Sequence, residues 1–439
     1  MSDEFETTGT ERFRLRQPER SQLVLRPECL EDLLAEDHPA RLIWAVSGKL
    51  DLSGFFASIR AREGVVGRDA TDPRLLVALW LYAATEGIGS ARELARLTRE
   101  HDAYRWLCGG VSLSYHTLSD FRVSHGEAVD TLLTQVLTAL LAQKLVDVWR
   151  ITQDGTRVRA CAGASSFRRR PKLQTLLEQS KAHVGELKRQ LEEPGEGAAR
   201  SARQRAARQR AARERQERLE KALARLPELE KRQRKLSSKI AAKDKSSKLR
   251  EPRVSTTDPE ARVMKMSDGG YRPAVNVQLA CDPSSRAIVG VEVSDQGVDT
   301  GLSEPMRQQV EARTGQTVRE HLVDGGYLSL EEIERAAAQE VTMYVPPKPP
   351  RNQAQRSSGC DPKSTDSAAL AAWRKRMGSE EGKAIYKLRA ATNETVNGDL
   401  KTFRGLGQLT VRGLGKIRCA VLWSALAYNL MHYGAALLG

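Results

Sequence analysis

A β-branched strand, Val146-Asp-Val-Trp149-Arg-Ile151-Thr-Gln-Asp154, gives way within a few residues to a long stretch of a different kind. From about Ser166 to Arg250 the chain is rich in Arg, Lys, Glu and Ala and almost free of aromatics. Such a strand cannot find its sheet partner next in sequence, so the sheet must be assembled across a helical excursion. Leu177, Val184, Leu187 and Leu191 form a heptad-like seam, Pro194-Gly-Glu-Gly197 reads as a turn, and Leu219, Leu223, Leu226, Leu236 and Ile240 form a second seam. The spacing predicts an antiparallel helical hairpin inserted between two strands, kinked in its second arm at Pro227. The return arm, Arg200 to Arg218, is strongly basic. It suits either a path along phosphates or a solvated charged face.

Strands resume beyond the insertion. Tyr271 to Ala280 and Ala287 to Val293 alternate in strand fashion and flank an Asp282-Pro-Ser-Ser turn, as a hairpin does. A helix is expected from Ser303 to Thr314, a strand ending at Asp324, a helix from Leu330 to Gln339 and a strand from Val341 to Val345. Pro346-Pro-Lys-Pro-Pro350 stops regular structure, and a polar loop follows to about Asp366. The remainder reads as helical from Ser367 to Asn397, with an apolar helix from Ile417 to Leu430. This order is that of a ribonuclease H-like fold, with an antiparallel meander followed by parallel strands reached through helical crossovers. The fold class is therefore α/β.

Before Val146 the pattern is helical. Pro27 to Leu34, Pro39 to Leu50, Pro73 to Glu86, Ala91 to Arg99 and His125 to Leu145 carry apolar residues at three- and four-residue spacing. Thr71-Asp72-Pro73 and Ser90 are good helix starts. Ser90 to Leu97 and Ser114 to Arg122 resemble two halves of a helix-turn-helix reader, with His116, Thr117, Ser119 and Arg122 at the exposed end of the second. An ordinary capped helix burying Leu118 and Phe121 fits the same residues. The expected organisation is a flexible segment at 1–22, a helical DNA-binding domain at 23–145, and a catalytic domain at 146–439 interrupted by the basic insertion at 166–250.

The chain has 439 residues, an apolar share of 40% and a formal net charge of +14. It is long enough for several domains and basic enough to favour a polyanionic partner, of which nucleic acid is the usual one. The six cysteines are scattered with no C-x-x-C pair, which argues against a disulfide framework or a zinc site. There is no signal-peptide pattern at the N-terminus, and the longest apolar run is too short for a bilayer. The expected location is the cytoplasm, with no membrane partner.

Two aspartates stand in strand contexts and are each followed by glycine: Asp154-Gly and Asp324-Gly-Gly-Tyr327. A glutamate, Glu394, falls on a helix with Tyr386, Arg389, Asn397 and Lys401 roughly along one side. Phosphodiester cleavage needs charge neutralisation and an activated oxygen nucleophile, which two divalent ions roughly 3.5–4 Å apart supply when carboxylates bridge them. Mg²⁺ favours a few carboxylates plus substrate oxygens. Arg389 suits a bidentate grip on phosphate, and Lys401 a point contact. Asp299 is the alternative second carboxylate, and Glu380 or Glu381 the alternative third. Asp268 and Asp282 read as turn residues. Trp373, beside Arg374-Lys-Arg376, suits either stacking on a flipped base or anchoring a core.

These motifs resemble a bacterial insertion-sequence transposase of the DDE type, in the insertion-sequence-five superfamily and its branch with a long insertion after the first catalytic strand. Gln153 to Ala160, Ser166 to Arg170 and Lys265 to Gln278 are similar to its strand signatures, Asp324 to Tyr327 to its second acidic motif, and Tyr386-x2-Arg389-x4-Glu394-x6-Lys401 to its third. The commoner third motif has three residues between Arg and Glu, where this chain has four.

The resemblance implies Asp154, Asp324 and Glu394 as ligands of two Mg²⁺ ions (or Mn²⁺), and an N-terminal domain that reads transposon ends. DNA at the terminal inverted repeats and at the target would be the partner, with at least a dimer in the synaptic complex. A nuclease that cuts without joining, and a silent DNA-binding derivative, are the competing readings.

Overall fold

A computed structural model describes residues 20–21, 23, 27–57, 59–61, 64, 66, 69–192, 198–241, 251–348 and 359–439, with backbone alone at 191–192, 198–203 and 236–241. Residues 1–19 of the expected N-terminal segment, the 194–197 turn, the side chains of Leu191, Leu236 and Ile240, and residues 349–358 of the proline-rich loop lie outside that description.

The N-terminal region is helical, as expected: α1 (Pro39–Ser47), α2 (Ser53–Phe56), α3 (Pro73–Thr85), α4 (Ala91–Glu100), α5 (Asp102–Cys108), α6 (Tyr115–Ser124) and α7 (Gly126–Ala142). The starts follow from local chemistry. Asp72 accepts from the Arg74 amide with Pro73 in the first turn of α3. Ser90 accepts from the Glu93 amide at the start of α4. The helix α5 separates α4 from α6, so the two halves expected of a helix-turn-helix are not consecutive, although they pack on each other.

The sheet follows with β1 (Arg150–Arg159). After β2 (Phe167–Arg168) come the long helices α8 (Arg170–Glu192) and α9 (Ala198–Ala241), then β3 (Val254–Ser255). β2 pairs antiparallel with β3, so the short strands close the neck of the insertion. α9 runs through Pro227 without interruption. The hairpin core contains Leu173, Leu219, Ala222, Leu226 and Leu229, three of them (Leu173, Ala222 and Leu229) outside the seams read from sequence. The insertion is also pinned to the sheet. Asp295, buried at the end of the third long strand, receives Arg225 and Arg232 of α9 together with Arg262.

The chain continues through β4 (Arg262–Lys265), β5 (Tyr271–Cys281), β6 (Ile288–Ser294), α10 (Ser303–Thr314), β7 (Glu320–Val323), α11 (Leu330–Ala338), β8 (Thr342–Tyr344), α12 (Ala368–Gly378), α13 (Glu380–Thr402) and α14 (Leu414–Leu438). The region read as one helix from Ser367 is thus two, broken at Ser379, which caps α13 by accepting from Gly382. In the sheet, β4 and β6 both pair with β5, and the order then runs β5-β1-β7-β8. β1 is antiparallel to β5 and parallel to β7, and β7 is parallel to β8.

One apolar core joins the helical N-terminal region to the sheet. Ile43, Leu79, Leu132 and Leu140 share it with Val277, Val289 and Val291, and Val421, Leu422 and Leu426 of α14 lie among them. α14 is apolar on all sides through its middle, which requires burial on all sides. It packs on α3, α7 and β6. A smaller core of Leu322, Val323, Tyr327, Ile333, Trp373 and Met377 fills the far end of the sheet.

Candidate active site

Asp154 lies within β1, and Asp324 immediately follows β7. The last pair in register between these parallel strands is Gln153 with Val323. Asp154 and Asp324 therefore occupy the next step, side by side. Neighbouring strands lie ~4.8 Å apart, close enough for the two carboxylates to feel each other. The Asp324 side chain also accepts a 2.7 Å bond from the Gly326 amide as a short 3₁₀ turn begins.

α13 lies against the same face of β1. Thr152 donates to Asn393 Oδ1 at 2.9 Å, and Asn397 Nδ2 donates to Asp154 Oδ2 at 3.1 Å. Two residues of strand advance ~6.6 Å and four residues of helix ~6 Å, so contacts at i, i+2 on β1 match i, i+4 on α13. Arg389 Nη1 stands 3.7 Å from Asp154 Oδ1, with its guanidinium 5.7 Å from the centre of the Tyr386 ring. Lys401 is half-buried near Asp154 and Arg157. Burial lowers its pKa, and the Asp154 charge works in the opposite direction.

Asp154 is the electrostatic centre of this arrangement. Burial pushes its pKa up to about 6, Arg389 pulls it down, and the Asp324 and Asp299 charges push it up further. Burial also raises the Tyr386 hydroxyl, against the pull of Arg389.

The helix face turned to β1 runs Tyr386, Arg389, Asn393, Asn397. Glu394 is one residue past Asn393, ~100° around the helix, and is exposed. Sequence reading placed Glu394 on the same side as Tyr386 and Arg389. The structure gives that place to Asn393 and sets Glu394 at its flank. Asn393 and Thr152 were missed as site residues. A legible signal existed in the two asparagines four apart, facing a strand that carries Thr and Asp.

The donor set suits a divalent cation. Two carboxylates lie close together, and burial and the neighbouring charges disfavour the ionised form of Asp154. Buried polar atoms with no protein partner cluster nearby, at Arg389 Nε, Asn393 Nδ2 and Asn397 Oδ1. Among the described residues, no group of three or more carboxylate, imidazole or thiol side chains converges to enclose an ion.

The other sequence candidates are placed as follows. Asp299, the alternative second carboxylate, is 4% exposed and accepts from Arg157 at 2.9 Å, Asn276 at 2.7 Å and Gln278 at 2.9 Å, so its oxygens are already engaged. Glu380 pairs with Lys383 at the start of α13. His116 is exposed beside Tyr115, whose ring lies 5.1 Å from the Arg92 guanidinium.

Two expected DNA contacts are corrected. Arg122 is spent on structure. It donates to the Gly89 carbonyl and to Thr410 at 3.1 Å and lies over the Trp80 ring, and burial lowers its pKa to about 10. Trp373 is 1% exposed, and its indole donates to the Val345 carbonyl at 3.0 Å, so no base can stack on it without opening the smaller core.

Two family models match the chain. Residues 28–124 match one described as Transposase domain (DUF772), and residues 350–433 match one described as Transposase DDE domain. The two matched stretches lie in the N-terminal and C-terminal parts of the chain. Together the matches support an insertion-sequence DDE transposase. No curated protein and no solved structure matches the chain. The first transposase match spans α1 to α6, and the second spans α12, α13 and most of α14, including Tyr386, Arg389, Glu394 and Lys401. Asp154 and Asp324 fall between the two matches, so their assignment rests on the geometry above. Among the described residues, no helix is long and apolar enough to cross a membrane.

Proposed function

We propose that this DNA transposase binds the terminal inverted repeats of its own element, cleaves the phosphodiester at each end, and joins the freed 3′-hydroxyl to target DNA. The observation that carries the reading is the in-step pair Asp154 and Asp324, faced by Tyr386, Arg389, Asn397 and Lys401 from one helix. The sheet order and strand directions support a ribonuclease H-like catalytic domain, because an antiparallel meander followed by parallel strands sets two acidic residues on adjoining strands.

Asp154 and Asp324 would hold divalent cations, with Glu394 as the third carboxylate from α13. When bound, Mg²⁺ or Mn²⁺ supplies charge neutralisation and a nucleophile at neutral pH. The chain's own groups do the rest. Arg389 and Lys401 present positive charge where a phosphate would lie, and Asn397 fixes the Asp154 carboxylate. Tyr386 shields the Arg389–Asp154 pair on one side. His116 and the neighbouring polar face of α6 are proposed to contact the element end, and a dimer or larger assembly would bring two ends together.

The test is cleavage of labelled DNA carrying the element ends, with strand transfer assayed on pre-cleaved ends. Transfer separates a transposase from a nuclease that only cuts. Binding without cleavage in either Mg²⁺ or Mn²⁺ would favour the silent DNA-binding derivative.

A further inference from the structure

We propose that Asp299 is a positioning residue that sets the separation of Asp154 and Asp324 by bracing the backbone beside each of them. The proposal rests on the reading of those two aspartates as the metal-holding pair.

The need for such a brace follows from the strand ladder. Register between β1 and β7 ends at Gln153 with Val323. Asp154 remains held by β5 on its other side, where it faces Leu279. Asp324 has left the ladder. The β1–β7 pairing therefore does not fix the distance between the two carboxylates.

Asp299 fills that role from beneath the sheet. Gly155, the residue after Asp154, lies directly against it: a Cβ there would come within 2.3 Å of Asp299 Oδ1. Gly326, whose amide donates to the Asp324 carboxylate, lies against its other oxygen: a Cβ there would meet Asp299 Oδ2 at 3.2 Å and Asp324 Oδ1 at 2.8 Å. The adjoining Thr300 donates to the Gly326 carbonyl at 3.0 Å.

Gln278 extends the brace. It donates to Asp299, and its carbonyl oxygen accepts from Gln153 at 2.7 Å and from the Tyr327 hydroxyl. Asp154 is thus flanked by Gln153 and Gly155, and Asp324 is followed closely by Gly326 and Tyr327, all touching one buried polar cluster. Arg157 and Asn276 hold Asp299 itself in place. Groups behind metal ligands typically change metal affinity 10–100-fold when lost.

The experiment uses the full chain without DNA. Mn²⁺ alone is titrated calorimetrically into wild type, Asp299→Asn, Thr300→Val and Asp154→Asn, and each is melted in EDTA. Asp299→Asn is expected to stay folded and bind Mn²⁺ roughly tenfold more weakly. Thr300→Val, which removes only an exposed hydroxyl bond, is expected to weaken binding by a smaller factor while its EDTA melt stays at the wild-type value.

If Asp299→Asn does not fold, Thr300→Val decides alone. Wild-type Mn²⁺ affinity in the folded variants, with binding lost in Asp154→Asn, would overturn the positioning role and leave the metal-site reading intact. Unchanged affinity in Asp154→Asn would overturn both.

Discussion

Asp154 and Asp324 stand one step beyond Gln153 and Val323, the last residues on which β1 and β7 are in register. The ladder brings both aspartates to the same end of the two strands, close enough for the charge of Asp324 to act on Asp154. Burial and the neighbouring charge make ionised Asp154 costly without a cation.

That cost predicts a pH dependence. Asp154 has an ordinary value of 3.8 and is pushed up to about 6, chiefly by burial. Between those values the folded chain holds a proton that the unfolded chain has released. Stability from this group is therefore present at low pH, falls as pH rises through that window and stays lost above it. The loss is on the order of 3 kcal/mol. In EDTA at pH 8, Asp154→Asn should melt above wild type, and the gap should close near pH 4. Mn²⁺ should raise the wild-type melting temperature and leave the variant unmoved. A gap that persists unchanged at pH 4 would remove the burial explanation.

Trp373 and His116 should behave oppositely. Trp373→Ala empties a fully enclosed site and should cost about 3–5 kcal/mol in urea unfolding. His116→Ala touches an exposed side chain and should leave stability within about 0.5 kcal/mol, while reducing discrimination between element-end and unrelated duplexes in a binding assay. Equal loss of binding to both duplexes would place His116 on phosphates and not on bases.

The contrast shows what sequence could carry. The helices of the N-terminal region, the hairpin around Asp282 and the strand ending at Asp324 were legible because periodicity and turn chemistry are local signals. The strand contexts of Asp154 and Asp324 were legible because each aspartate follows a strand-like run and is followed by glycine, and both stand at the end of the β1–β7 ladder. Trp373 and Arg122 misled because their surroundings come from distant segments: Val345 for one, Gly89 and Thr410 for the other. Asn393 was passed over because an amide has no metal-ligand signature until Thr152 is set opposite it. The strands β2 and β3 were missed because pairs this short leave no periodicity, yet they close the insertion.

The insertion should respond to loss of its anchor. Asp295 is buried and receives three arginines, of which Arg225 gives the closest contact. Burial raises its pKa, but the Arg225 bond and the three positive charges outweigh that and lower it. Arg225→Ala leaves the carboxylate with its weaker partners and should cost about 1–3 kcal/mol. Hydrogen exchange should locate the loosening at α8, α9 and the β2–β3 neck. Uniform loosening of the sheet instead would mean that the insertion is not a separable lever.

The return arm offers a further test. Between residues 198 and 213 there are six arginines and no acidic residue, and Arg208, Arg210, Arg213 and Arg215 are exposed. If the arm follows phosphates, replacing these four by Gln should lower the slope of log K against log salt by roughly 2–4 and weaken all duplexes alike. An unchanged slope would make the arm a solvated face.

End cleavage in vitro is the decisive measurement: purified chain, Mg²⁺, and labelled DNA carrying the element ends, with Asp154→Asn, Asp324→Asn and Glu394→Gln alongside. Wild type should cut at the element boundary, and all three variants should bind the ends without cutting. A variant that cuts like wild type would contradict that residue's assignment, and cutting by both Asp154→Asn and Asp324→Asn would contradict the active site itself.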